Sequence, residues 1–425
     1  MSTVVWTAMI LLLVIGLPIG FALMALSIIL LTLSGTSTPF AIAQKTITSL
    51  QSFTMLAIPF FMLAGAAMSE TKVSKKIFNF AGSLVRHLPG GMAHVNILTS
   101  MILAGTSGSA VADVTGVGKL EIEAMTDAGM DTDFAAATTA ASSCIAPIIP
   151  PSMSMVIYAS ISGVSIGKML IGGLFPGILL GAAMMVYAYF YSKRHNFPLQ
   201  PKVRAKELAK TTVDAIPALI LPIIILGGIL SGLFTATEAA AVGAFYAILL
   251  GMLFYRNLSV KKLFVILGDV ALLCATNMCI LYASSVFGVV LTTNQIPQKL
   301  CAFFIGLSDQ RWIIILSVNV MLLLLGCLMD CTPILIILSG TLALLAAQLG
   351  MDPVQFGVMV VLNVTIGLIT PPVGMILFVT QKVAGITTKR RFTCVWPYVL
   401  MMMIVLVLVS FEPAISTWLP NLFIG

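Results

Sequence analysis

Charge is what this sequence has least of: charged residues make up 9% of its 425 positions against 59% hydrophobic ones, and mean hydropathy is +1.10. A soluble domain carries about 25% charged residues, so that class is excluded. Histidine is nearly absent as well. His87, His94 and His195 are the three present, and no HExxH pair sets two of them on one helix face to hold zinc, which leaves an intramembrane enzyme without its chemistry. A phosphate-cradling loop is missing too: Gly118-Lys119 and Gly167-Lys168 lack both the upstream glycine and the following Ser or Thr, so an ATP-driven pump is excluded. The seven cysteines (Cys144, Cys274, Cys279, Cys301, Cys327, Cys331, Cys394) show no CxxC spacing and read as small buried hydrophobes.

What is abundant is apolar length. Runs of about 20 residues, enough to cross a ~30 Å hydrocarbon core, recur along the chain. Candidate spans fall at about 7 to 33, 54 to 70, 134 to 163, 168 to 192, 214 to 231, 236 to 255, 268 to 292, 354 to 384 and 393 to 418. The fold class is therefore an all-α polytopic membrane protein. The N-terminus has no basic n-region, and its apolar run continues to about Leu33, so it reads as a retained span and not a cleaved signal. The net charge of +7 sits in short loops between spans, which points to a bilayer and not to nucleic acid.

Two apolar regions do not fit as ordinary spans. Residues 92 to 128 are interrupted by "GTSGSAVADVTGVGK" and residues 312 to 348 by "GCLMDCTP", leaving arms of about 12 to 15 residues, too short to cross. They read as re-entrant helical hairpins. With the basic stretch "TKVSKKIFNFAGSLVRH" inside, 17 of 22 Lys and Arg become cytoplasmic, four (Lys45, Lys168, Lys299, Arg311) external, and Lys119 lies in a hairpin. That orientation puts the N-terminus in the cytoplasm and the C-terminus in the periplasm. Residues 71 to 87 separate Lys72, Lys75, Lys76 and Arg86 from Ile77, Phe78, Phe80, Leu84 and Val85, as an arm helix lying in the headgroup plane would.

The chain also repeats itself. Gly105 and Gly326, Pro150 and Pro371, and Pro176 and Pro397 are each 221 residues apart. Each half reads span, span, hairpin, broken span, span. The first repeat covers residues 1 to 192, a loop and linking span 193 to 235, and the second repeat 236 to 425, and the single linking span makes the repeats inverted. Within them "IIPPS" (148 to 152) and "ITPPV" (369 to 373) each set two prolines in an apolar run, where they must break a helix and free backbone carbonyls.

Inverted repeats with helices broken at mid-membrane are the architecture of secondary transporters, where non-helical backbone survives because it lines a site. Freed carbonyls with nearby hydroxyls or amides suit a hard cation such as Na+, and half-helix N-termini suit a carboxylate. Thr106, Ser107 and Ser109 lie at the first hairpin's break opposite Ser152; Asp330 and Thr332 lie at the second, opposite Asn363 and Thr370. Asp113 and Asp330 at membrane depth must face protein or a water-filled interior. Asp330 reads equally as a cap for the helix near Pro333, and Glu238 completes a capping box with Thr235.

At this point "GTSGSAVAD" with "PIIPPS", "SGLFTATEAAAVGAFYA", "MDCTP" and "NVTIGLITPPVG" resemble the large membrane subunit of tripartite ATP-independent periplasmic (TRAP) transporters, over nearly the whole chain. Ala236 departs from the proline usual in that family's "FTPTEA". The resemblance implies a sodium-driven importer of a small organic acid anion, an elevator of ion-transporter-superfamily type in the bacterial inner membrane. It implies two partners, a small four-helix membrane subunit made as a separate polypeptide and a periplasmic substrate-binding protein, with no organic cofactor. Carried over residue by residue, it implies sodium sites at Ser107, Gly108, Ser109, Pro150 and Ser152, and at Asp330, Thr332, Asn363, Thr370 and Pro371, with substrate near Thr106 and Asn363. The related alternative is a sodium/dicarboxylate carrier that needs no binding protein. C4-dicarboxylates, keto acids and sugar acids all suit the same anion-binding helix ends.

Overall fold

The computed structural model describes residues 17–35, 38–51, 53–71, 73–385 and 393–424; the side chains at 39, 50, 53, 54, 106 and 107 lie outside that set, as do part of the expected first span and the basic run at 386–392. Every regular element among the described residues is helical.

The halves match element by element at the spacing read from the prolines. A span (Ile19–Leu33; Ala236–Leu249 with a π-turn to Phe254) is followed by a long helical passage, which is Pro39–Leu50 plus Ala57–Glu70 in the first half and the continuous Val260–Thr293 in the second. Next come the expected arm helix, Val73–Val85, and its counterpart Ile296–Gly306. The latter was not expected, because its apolar sequence "IPQKLCAFFIG" has no charged face to mark it.

Both hairpins form, but with longer arms than the sequence suggests. The second has Arg311–Leu328 and Cys331–Gln348, 18 residues each, about 27 Å at 1.5 Å per residue, and long enough to cross. Only Met329 and Asp330 interrupt it. Gly326 stays helical because Gly367 of the next helix lies against it: a Cβ on Gly326 would meet the Val364 carbonyl oxygen at 2.6 Å. In the first hairpin, Gly91–Ser107 is broken only at Gly108 and Ser109, and the chain resumes as Ala110–Asp113, a π-turn and Lys119–Asp127. In each hairpin both arms pack on the following broken helix.

The broken helices are Thr132–Ser143 then Met153–Ser162, and Pro353–Gly367 then Met375–Ala384. Their first halves are buried all round, the first by small residues ("AAATTAASS") that let neighbouring backbones approach, the second by an apolar run. The second halves exchange partners: Met153–Ser162 packs on the outer arm of hairpin 2, and Met375–Ala384 on that of hairpin 1. Cys144 Sγ meets the Thr365 carbonyl at 3.5 Å, and these two positions are equivalent under the repeat. Equivalent residues touch only beside an axis relating the halves, so an approximate two-fold passes between the breaks.

Outside this crossed core, Ala57–Glu70 packs on Ala236–Leu249 and Val260–Thr293, and the linking helix Ala205–Leu230 on the first arm helix. The last span is not straight. Val395–Phe411 and Ala414–Phe423 meet at 59°, where Pro413 lacks the N–H that would continue the helix. The Thr235–Glu238 capping box forms, with Thr235 N–H donating to Glu238 Oε2 at 2.8 Å and Glu238 N–H to Thr235 Oγ1 at 3.3 Å. Cys144, Cys301, Cys327 and Cys331 are buried and free, as small hydrophobes.

Candidate functional site

The hairpin tips and both helix breaks surround one cavity of about 580 Å³. From the crossed core it takes Ser109, Asp113, Met153, Asp330, Thr332 and Met375, and from the surrounding helices Ser69, Ser74 and Asn277. Four helices start at this cavity: Ala110, Cys331, Met153 and Met375 each follow or form its wall. Their free N–H groups and positive dipole ends point toward it. No Lys, Arg or His is among its described lining residues, so Asp113 and Asp330 meet no cationic side chain there.

At the first break, Gly108 has φ +59° and sits against the loop after the prolines: a Cβ there would lie 2.8 Å from the Pro151 carbonyl oxygen. The hairpin 1 tip and the Pro150–Pro151 break are thus one constellation, as the sequence suggests. No described donor reaches the carbonyls of Ile149, Pro150 or Pro151. Ser152 is fully buried and its hydroxyl is engaged: it accepts from Met155 N–H at 3.1 Å, capping Met153–Ser162, and donates to the Pro147 carbonyl. Thr106 and Ser107 end the inner arm; their side chains lie outside the described residues.

At the second break, Asp330 occupies the N-cap position of the outer arm. Its carboxylate lies among the Cys331 and Thr332 N–H groups and the Thr332 hydroxyl at the cavity wall. Thr332 lines the same wall. Gly374 N–H donates to the Cys327 carbonyl at 3.2 Å and Cys327 Sγ to the Thr370 carbonyl at 3.0 Å, locking hairpin 2 to the break beside Pro371. The Thr370 hydroxyl donates back to Ile366 at 2.8 Å. Asn363 is fully buried behind the cavity wall, its Nδ2 donating to the Asn319 carbonyl and Oδ1 at 2.9 and 2.7 Å. The structure therefore brings Ser109, Asp330 and Thr332 together at the cavity and sets Ser152, Thr370 and Asn363 in the layer behind.

Residue-by-residue reading missed that layer's other members. In the first repeat Asn96 Nδ2 donates to Thr139 at 2.7 Å, Ser142 to Asn96 Oδ1 at 2.6 Å, and Ser100 to Asp113 Oδ2 at 2.8 Å. The available signal was Asn96, Thr99 and Ser100 on one face of an apolar helix.

A polytopic helical protein with crossed hairpins and broken helices around one mid-chain cavity has the build of a secondary transporter. The sequence profile of the tripartite ATP-independent periplasmic transporter, DctM component, matches residues 6–415, and the chain belongs to that family, whose members are transporter permeases and not enzymes. It is 41% identical over 412 residues to the sialic acid TRAP transporter large permease protein SiaM of Vibrio cholerae, covering 96% of each chain, and 37% identical over 381 residues to the C4-dicarboxylate large permease protein DctM of Pseudomonas aeruginosa, covering 90% and 89%. Its fold is shared with the YdaH transporter of Alcanivorax borkumensis at a TM-score of 0.68 and 13% identity, over 94% of this chain and 99% of that one. It is thus a multi-pass membrane permease subunit of an organic acid transporter.

Proposed function

We propose that the cavity carries a small organic acid anion together with sodium, and that the chain imports the acid by sodium symport. The cavity's composition carries this reading. Four helix N-termini favour a carboxylate, while Asp113 and Asp330 repel one until a cation joins them. A volume of about 580 Å³ lies within the range of small-molecule sites. Sodium would be held by the carbonyls near Pro150 with Ser107, Gly108, Ser109 and Ser152, and by Asp330, Thr332, Thr370, Asn363 and the Pro371 backbone. Substrate would lie between the tips near Thr106. The names of the relatives put sugar acids and C4-dicarboxylates first among the acids to try.

One wall of the cavity belongs to the crossed core and the other to Ala57–Glu70 and Val260–Thr293, so sliding the core along those helices would carry the cavity across the bilayer as an elevator. The chain would work in the inner membrane, N-terminus inside and C-terminus in the periplasm, with a small membrane subunit and a periplasmic binding protein that delivers the acid. Proteoliposomes holding this chain and its small partner, supplied with the binding protein and a panel of sialic, sugar and C4 acids, test this. Uptake is expected with a sodium gradient and no ATP; equal uptake in potassium would overturn it.

A further inference from the structure

Behind the second break the hydrogen bonds run in one direction. The Ser410 hydroxyl donates its proton to the Leu406 carbonyl at 2.7 Å, so its oxygen can only accept, and it accepts from Asn319 Nδ2 at 3.1 Å. That fixes the Asn319 amide with Oδ1 turned to Asn363, whose Nδ2 donates both to it and to the Asn319 backbone carbonyl. The Asn363 amide is therefore fixed with Oδ1 on the opposite side. That oxygen is buried and has no hydrogen-bond partner among the described residues. A buried acceptor left unpaired costs about 1 to 3 kcal/mol, and a cation relieves it. In the first repeat the equivalent position is Ser142, whose hydroxyl is paired with Asn96.

We infer that Ser410 and Asn319 are positioning residues that orient the Asn363 amide so that its oxygen, and not its NH2, is presented to a monovalent cation. The inference rests on the sodium reading of the second break. Without the Ser410 acceptor, Asn319 gains nothing from holding its NH2 outward. A flipped Asn319 sets NH2 against NH2 and turns Asn363 around, placing donors where the cation needs an oxygen. An aspartate at 319 offers only acceptors and so needs no anchor.

The test measures, in the purified chain with its membrane partner, the Na+ concentration that half-maximally raises thermal stability over KCl, with no organic acid present. Ser410→Ala is expected to raise that concentration about fivefold, the loss of one hydrogen-bonding contribution. Ser410→Thr, which keeps the hydroxyl, stays within about twofold, and Asn319→Asp with Ser410→Ala returns to the wild-type value or below. The relay is overturned if Ser410→Ala leaves the sodium requirement unchanged, or if the Thr variant and the double variant weaken sodium as much as the Ala variant does, which is the signature of packing alone. Absence of any sodium stabilisation in the wild type would remove the sodium reading and the relay together.

Discussion

The two repeats solve one problem in opposite ways. Each must bury polar groups where its hairpin's inner arm meets a broken helix. In the first, Asn96, Thr139, Ser142 and Ser100 close on one another and end at Asp113, a carboxylate on the cavity wall with a hydroxyl donor already on it. In the second, the donors run from Asn363 through Asn319 and Ser410 to the Leu406 carbonyl, and the cavity carboxylate, Asp330, sits among the Cys331 and Thr332 N–H groups and the Thr332 hydroxyl. At these two junctions the amide oxygen of Asn96 is paired and that of Asn363 has no partner among the described residues. The same backbone plan thus ends in a paired amide on one side and, on the proposed reading, in an amide oxygen offered to sodium on the other.

The contrast can be broken most severely through the helix contacts. A Cβ on Gly326 meets backbone, the Val364 carbonyl oxygen at 2.6 Å, whereas a Cβ on Gly105 meets the edge of the Pro222 ring of the linking helix at 2.6 Å, which yields only by a change of pucker or a small displacement of that helix. Gly326→Ala is expected to cost about 3 kcal/mol and Gly105→Ala about 1 kcal/mol. Size-exclusion yield and melting temperature check this. Equal losses would show that the halves are packed alike.

The carboxylates come next. Asp330→Asn is expected to raise the half-saturating sodium for uptake about thirtyfold or more, and Asp113→Asn about fivefold, because Asp330 is placed among the proposed ligands of a sodium site while Asp113 acts on the cation only across the cavity. Sodium titration of uptake in proteoliposomes decides it, and a larger effect at Asp113 would reverse the assignment of the two halves.

Replacing Pro150 and Pro151 with alanine restores two backbone donors, letting the helix reclaim carbonyls that have no partner among the described residues. The protein should insert, and sodium affinity fall about tenfold, with the same change at Pro371 and Pro372 acting likewise. A double variant transporting at unaltered sodium affinity would show that the breaks are only kinks. Ser152→Ala has the smallest expected effect. Its hydroxyl caps a helix and is one of several oxygens proposed for the first sodium site, so about 1 kcal/mol of stability goes with it and sodium affinity falls about threefold; stability loss with unaltered sodium affinity would make it a cap alone.

Much of this was legible in the chain. Paired prolines at one spacing located both broken helices, since two adjacent rings remove neighbouring donors and crowd the same preceding turn. Ser109, Asp330 and Thr332 were readable as polar groups stranded in apolar runs. The arm lengths were not, because a glycine in an apolar run signals a break, while Gly326 is helical for a tertiary reason, its contact with Gly367. Ser152 was readable as a hydroxyl beside the break, and the capping bond it makes to Met155 N–H was not. The Asn319–Ser410 contact joins positions 91 residues apart, and only the fold puts them together.

The central claim is that both repeats contribute to one cavity that sodium and the acid occupy together. The direct measurement is thiol labelling of Ser109→Cys and Thr332→Cys, one from each hairpin tip, with the half-buried Cys274, Cys279 and Cys394 replaced by serine. Sodium plus the organic acid that supports uptake is expected to slow labelling at both positions together by about tenfold, with either alone doing much less. Protection at one position without the other, or none in a protein that still transports, would contradict the claim.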